Sequence, residues 1–214
     1  MTRSLRPSFA LLLTTLLSAA CSPPVQSLPD AEPPTDAATM DTGPRDVVRP
    51  PTDAMVAVPD VAETPLPDFA LADQNSASST SGMQISLSAQ RGRISAWYFA
   101  TSSCHFCVEQ VTQLQRMQAE LDRASPRRPV KLFVIADLDS DGATAAFTMG
   151  NSLPVLQDNR VANVQSNWMA AIRDVVVVDD EGTRRLVYNL TTRSLTDSTF
   201  YDDLKARLLA LSNR

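Results

Sequence analysis

The sequence predicts an α/β sandwich built around a mixed sheet, and three observations carry that reading. An apolar, strand-like run over residues 94–99 passes through a Cys104-x-x-Cys107 turn into an amphipathic helix. Strand and helix patterns then alternate for some seventy residues, as in a sheet covered by helices (about one element per 10–15 residues). The chain closes with a hairpin and a second amphipathic helix.

Taken in order, Phe69-Ala70-Leu71 and Ile85-Ser86-Leu87 form short strands around a polar Ser/Asn/Gly loop. Ile94, Ala96, Trp97, Tyr98 and Phe99 make the central strand. Thr101, Ser102 and Ser103 break it with small hydroxyl residues suited to a turn and a helix start. Val108, Val111, Leu114, Met117 and Leu121 recur every three or four residues and give the first helix one apolar face. Two prolines at 126 and 129 end it. Residues 131–136, KLFVIA, read as a strand buried on both faces. Residues 137–142 turn, 143–149 suit a short helix, 153–156 are extended and 161–171 are weakly helical. Val175, Val176, Val177 and Val178 form a buried strand, which residues 179–182 turn into a hairpin with 184–188. Phe200, Leu204, Leu208 and Leu211 are the stripe of the closing helix.

The first 67 residues have a different character. Arg3 and Arg6 precede an apolar run too short to span a bilayer, and small residues lead to Cys21. The run Leu17-Ser18-Ala19-Ala20-Cys21 resembles a bacterial lipoprotein signal. The resemblance implies that residues 1–20 are a signal peptide, removed on export, and that Cys21 is lipidated. Ser22 after that cysteine implies the outer membrane, with the chain facing the periplasm; the alternative is an ordinary secretory signal. Residues 22–67 hold eleven of the fifteen prolines and no lysine, with acidic residues throughout. Such a segment cannot bury enough apolar surface to offset its ordering entropy. Residues 21–65 are therefore expected to be a disordered tether that holds a 66–214 domain on the order of 35–40 Å from its anchor. The formal net charge of −5 argues against nucleic acid as a partner.

The chemistry sits at the helix start. Unpaired amides and the helix dipole favour negative charge there, and a thiolate is the nucleophilic form of cysteine. With Cys21 lipidated, Cys104 and Cys107 remain as an even pair that can cycle in an oxidising compartment. Cys104 would attack, forming a mixed disulfide or a sulfenic acid, and Cys107 would resolve it. The other readings are a static disulfide or half of a zinc site. Zinc needs four ligands, and the only histidine, His105, lies inside the same turn. Haem attachment needs His directly after the second cysteine, where Val108 stands. No cofactor or metal is expected.

The strand–CxxC–helix order resembles the thioredoxin fold, a three-layer α/β/α sandwich with a mixed central sheet. Within that superfamily the chain is similar to the amino-terminal domain of selenoprotein P. The pieces that carry this are Ser102-Ser-Cys-His-Phe-Cys-Val-Glu-Gln110, Leu153-Pro-Val-Leu-Gln157, Trp168 and the stretch 174–188. The resemblance implies redox exchange with thiols or peroxides. The chain departs from ordinary thioredoxins at three places. Ser103 replaces a Trp, Tyr98 replaces a buried acid, and Asp174 stands where the cis-proline facing the disulfide is expected.

Three residues are weighed as supports. His105, when protonated, would stabilise the Cys104 thiolate; otherwise it is a solvated turn residue. Thr101 stands three before Cys104, like the Thr of peroxiredoxins, or simply builds the turn. Asp174 is a solvated strand-leading acid or a negative charge facing the pair. Trp168 is read as core, and Glu109 complements the helix dipole while opposing a thiolate. The expected function is thiol–disulfide exchange with a protein partner or small thiol. Thiol peroxidase activity and a non-enzymatic domain with a structural disulfide are the alternatives. The expected state is a monomer, bound to the membrane only through its lipid anchor.

Overall fold

The computed structural model describes residues 65–140 and 144–214. The signal peptide, Cys21, nearly all of the tether and residues 141–143 lie outside the described residues.

Among the described residues, seven strands and four α-helices follow in the expected order. Strands β1 (Ala70–Ala72) and β2 (Gln84–Ser86) pair antiparallel as a small separate sheet. The central sheet contains β3 (Ile94–Ala100), β4 (Val130–Ala136), β5 (Val155–Gln157), β6 (Asp174–Val178) and β7 (Arg184–Asn189), in the order β5-β4-β3-β6-β7. The β5, β4 and β3 strands are parallel; β6 runs against them, and β7, antiparallel to β6, returns to their direction. The long helices are α1 (His105–Ala124) and α4 (Ser198–Ser212); α2 (Ala145–Thr148) and α3 (Val164–Asn167) are single turns. The helical expectation over 161–171 thus shrinks to α3. Asp158 holds this turn through its carboxylate, which accepts the N–H groups of Val164 and Gln165 at 3.0 Å each.

Strand alternation sorts the core into two layers. Ala96, Tyr98, Leu132, Val134, Val175 and Val177 pack under α1 and α4, with Val111, Leu114, Met117, Leu204 and Leu208. Trp97, Phe99, Phe133, Ile135, Val176 and Val178 point the other way, onto Phe69, Leu71 and Trp168. On that second face the β1–β2 hairpin and α3 supply the outer layer. Trp168 is core, as expected, and its indole N–H donates to the Pro67 carbonyl at 2.9 Å. The stripe of α4 is centred one position later than the sequence indicates. Tyr201 is buried beside Leu204 and Leu208, while Phe200 and Leu211 are half-buried at its margins.

Buried amides were missed by apolar periodicity. Gln118 on α1 accepts from the Leu132 N–H at 2.8 Å and donates to the Val130 carbonyl at 3.0 Å. It thereby pairs β4 below the point where β5 begins. Gln118→Leu should cost about 1–3 kcal/mol by stranding those backbone groups, seen as a lower urea midpoint.

Both sheet margins are covered or charged. Along β5, Gln74 donates to the Val155 carbonyl at 2.8 Å and Asp73 bridges to Leu156, so the end of β1 shields that edge. On the other side β7 carries Arg184 and Arg185. Among the described residues, no helix is long and apolar enough to cross a membrane.

Candidate functional site

The site lies at the end of the sheet where β3 and β4 finish and β6 begins. Cys104 is the N-cap of α1, in extended conformation, with its own N–H donating to the Thr101 carbonyl at 3.1 Å. Its Sγ accepts the Cys107 N–H at 3.2 Å. The two thiols sit in unequal surroundings. Cys104 is half-exposed, whereas Cys107 is fully buried. Burial pushes the Cys107 thiol up, and hydrogen bonding to the Cys104 side chain adds to this.

The turn is braced from the neighbouring strand. The Ser102 N–H donates to Ser140 Oγ at 2.8 Å, and that hydroxyl donates in turn to the Asp137 carboxylate. Asp137 closes the loop with its N–H on the Ala100 carbonyl at 2.9 Å. From the other side, the Gln110 side chain donates to Ser194 Oγ at 2.9 Å and accepts from the Leu195 N–H at 2.8 Å. The helix that carries both cysteines is therefore tied to the loop after β7. Sequence reasoning missed Ser140 and Gln110, because each acts through a partner distant along the chain.

The expected supports take different places. Thr101 builds the turn: its hydroxyl lies 3.2 Å from that of Ser103 and its carbonyl holds Cys104. His105 is exposed in the first turn of α1, and its ring meets Phe106 edge-on at 6.3 Å. Asp174 is neither in solvent nor aimed at the pair. It is buried; its carboxylate accepts the Ala171 N–H at 2.8 Å and the Asn189 side-chain amide at 2.7 Å. Strand parity explains this: Asp174 shares its side of β6 with Val176 and Val178, while Val175 and Val177 face α1.

Two other residues stand near the sulfurs. Tyr98, on the α1 side of β3, is buried, and its hydroxyl interacts with the Cys107 thiol. Burial pushes the phenol up strongly; charge on Cys107 and on Cys104 pushes the same way, and Arg173 opposes them. Arg173 itself precedes β6 with φ 77°, a left-handed conformation uncommon for a residue other than glycine. Its N–H donates to the Phe99 carbonyl at 2.7 Å and its carbonyl accepts from Leu190 at 2.8 Å. Its guanidinium lies 5.3 Å from the ring centre of Phe106.

No family model matches the sequence, and no curated protein matches it. Solved structures do. A secreted disulfide oxidoreductase of Mycobacterium tuberculosis, homologous to Escherichia coli DsbE, is 19% identical with a TM-score of 0.52, over 67% of this chain and 96% of that one. A lipoprotein of the SCO1/SenC family from Bacillus anthracis is 13% identical with a TM-score of 0.55, over 72% and 99%. A secreted thiol-disulfide isomerase from Corynebacterium glutamicum is 18% identical with a TM-score of 0.50, over 70% and 86%. With this sheet order, and with Cys104 and Cys107 at the junction of β3 and α1, the chain has the thioredoxin-like fold.

Proposed function

We propose that residues 66–214 are a thiol–disulfide oxidoreductase domain whose redox pair is Cys104 and Cys107. The observation that carries this is the inequality of the pair: a half-exposed sulfur capping a helix and accepting an amide at 3.2 Å, above a buried thiol three residues on. In the reducing direction, the Cys104 thiolate attacks one sulfur of a partner disulfide. The partner's S–S bond breaks, and its other sulfur leaves as a thiolate that takes a proton. Cys107, once deprotonated, attacks Cys104 Sγ. This releases the second partner thiolate and leaves a Cys104–Cys107 disulfide, the pair having given up two electrons. The reverse sequence oxidises a dithiol partner.

The fold neighbours include secreted disulfide oxidoreductases and a lipoprotein, which supports placing this chain in the cell envelope. Together with the signal-like residues 1–20, we infer a domain anchored through Cys21 and held off the membrane by residues 21–65. The hydroxyl of Thr101 is engaged by Ser103, so no contact favours the peroxidase reading over disulfide exchange.

The test is the reduction potential of the Cys104–Cys107 couple in the full chain, with disulfide turnover measured beside it. A potential above about −300 mV with turnover supports the reading. A lower potential with no turnover makes the pair a covalent clasp and overturns it.

A further inference from the structure

The segment 171–174, which the enzymatic reading leaves without a role, places a cation at the mouth of the site. Three features set Arg173 apart there. Its backbone is left-handed at φ 77°. Its Nε is buried and has no hydrogen-bonding partner among the described residues. Its guanidinium lies over Phe106, a large aromatic side chain left 60% exposed between the two cysteines. Strained backbone and unmet polar atoms persist where the surroundings hold them, and they concentrate at sites that bind. The same guanidinium acts electrostatically on Tyr98, whose phenol also feels both sulfurs. This is a fixed positive charge in a chain whose formal net charge is −5.

We propose that Arg173 and Phe106 form a substrate clamp that selects thiol or disulfide partners carrying a carboxylate beside the reacting sulfur. Phe106 offers an apolar, exposed face for the partner chain. Arg173 offers a guanidinium, a group suited to carboxylates. The specificity is for charge next to sulfur, as in an acidic peptide or a small carboxylated disulfide. This rests on the oxidoreductase reading for its partner class, but the placement of the cation can be measured without turnover.

The experiment uses two alkylating reagents of the same chemistry and different charge, anionic iodoacetate and neutral iodoacetamide, on the full reduced chain. Labelling of Cys104 is followed by peptide mass. The ratio of the two rates removes any change in thiol reactivity common to both. In the native chain this ratio should exceed that of an unfolded peptide spanning the motif, and added salt should bring it down. Arg173→Met should lower the ratio about fivefold, the scale of one partly exposed charge pair, and Arg173→Lys should restore most of it. An unchanged ratio in Arg173→Met, or a native ratio indifferent to salt, overturns the clamp; the salt series does so even if the variant fails to fold. A second arm compares reduction of an anionic aromatic disulfide, dithiobis(nitrobenzoate), with that of cationic cystamine. Arg173→Met should shift this preference toward cystamine, and an unshifted preference counts against the clamp. If the alkylation ratio moves as expected but neither disulfide is turned over faster than by Cys104→Ser, the oxidoreductase reading fails while the cation's role in guiding anions to Cys104 stands.

Discussion

Replacing Cys107 with serine is expected to convert a passing encounter into an isolable adduct. The half-exposed Cys104 remains able to attack a partner disulfide, but the buried thiol that would displace the partner is gone. The product is a mixed disulfide on Cys104, visible as a mass increase that dithiothreitol removes. Cys104→Ser removes the attacking sulfur and should lower exchange by at least about a thousandfold, the scale of losing a nucleophile. The pH dependence follows from the environment of Cys107. Burial pushes its thiol up, so at neutral pH the thiolate is a minor form. The sign is fixed: raising the pH increases that form, and release of the partner from the native chain should quicken about tenfold per pH unit until the raised value is reached. Stopped-flow measurement of partner release checks this. A release rate flat from neutral to alkaline pH would mean that Cys107 is not the resolving thiol.

Trp97→Ala should be the most damaging single change to stability. The indole is fully buried, stacks on Phe133 at 4.1 Å, and meets Phe69 and Trp168 edge-on at 5.2 and 5.8 Å. Its N–H donates to Ser95 Oγ at 2.9 Å, so removing it also leaves that buried hydroxyl without its donor. Large aromatic-to-alanine changes in a packed core cost about 3–5 kcal/mol. Against a total of about 5–15 kcal/mol for a single domain, that is roughly a fifth of the stability or more. Urea unfolding should show a sharply lower midpoint at a similar slope. A loss below about 1 kcal/mol would mean that this face collapses around the gap without penalty.

The central strand, the capped helix and the closing hairpin were all legible, because each is written in a local period. The apolar run through Phe99 and the three-four spacing of Val111, Leu114, Met117 and Leu121 needed no tertiary information. The position of Cys104 at the helix start was legible for the same reason. What stayed hidden depends on strand parity and on long-range partners. Whether Asp174 faced the pair was left open, because which side of β6 meets α1 is decided by packing, and packing gave that side to Val175 and Val177. Tyr98 was recognised only as a departure from a resemblance, not as a phenol beside two sulfurs. Arg173 left no trace, since no glycine marked the left-handed turn that aims it. The extent of α3 depended on Asp158, six residues before its first residue.

The guarded margins of the central sheet bear on crowding. If the domain is held at a surface, as proposed above, it meets its own copies at high local density, where an open strand invites one sheet to continue into the next. Here a loop already occupies one border, and the other carries Arg184 and the Arg185–Asp179 ion pair, charged groups that make it a poor template. The arrangement disfavours edge-to-edge fibrils.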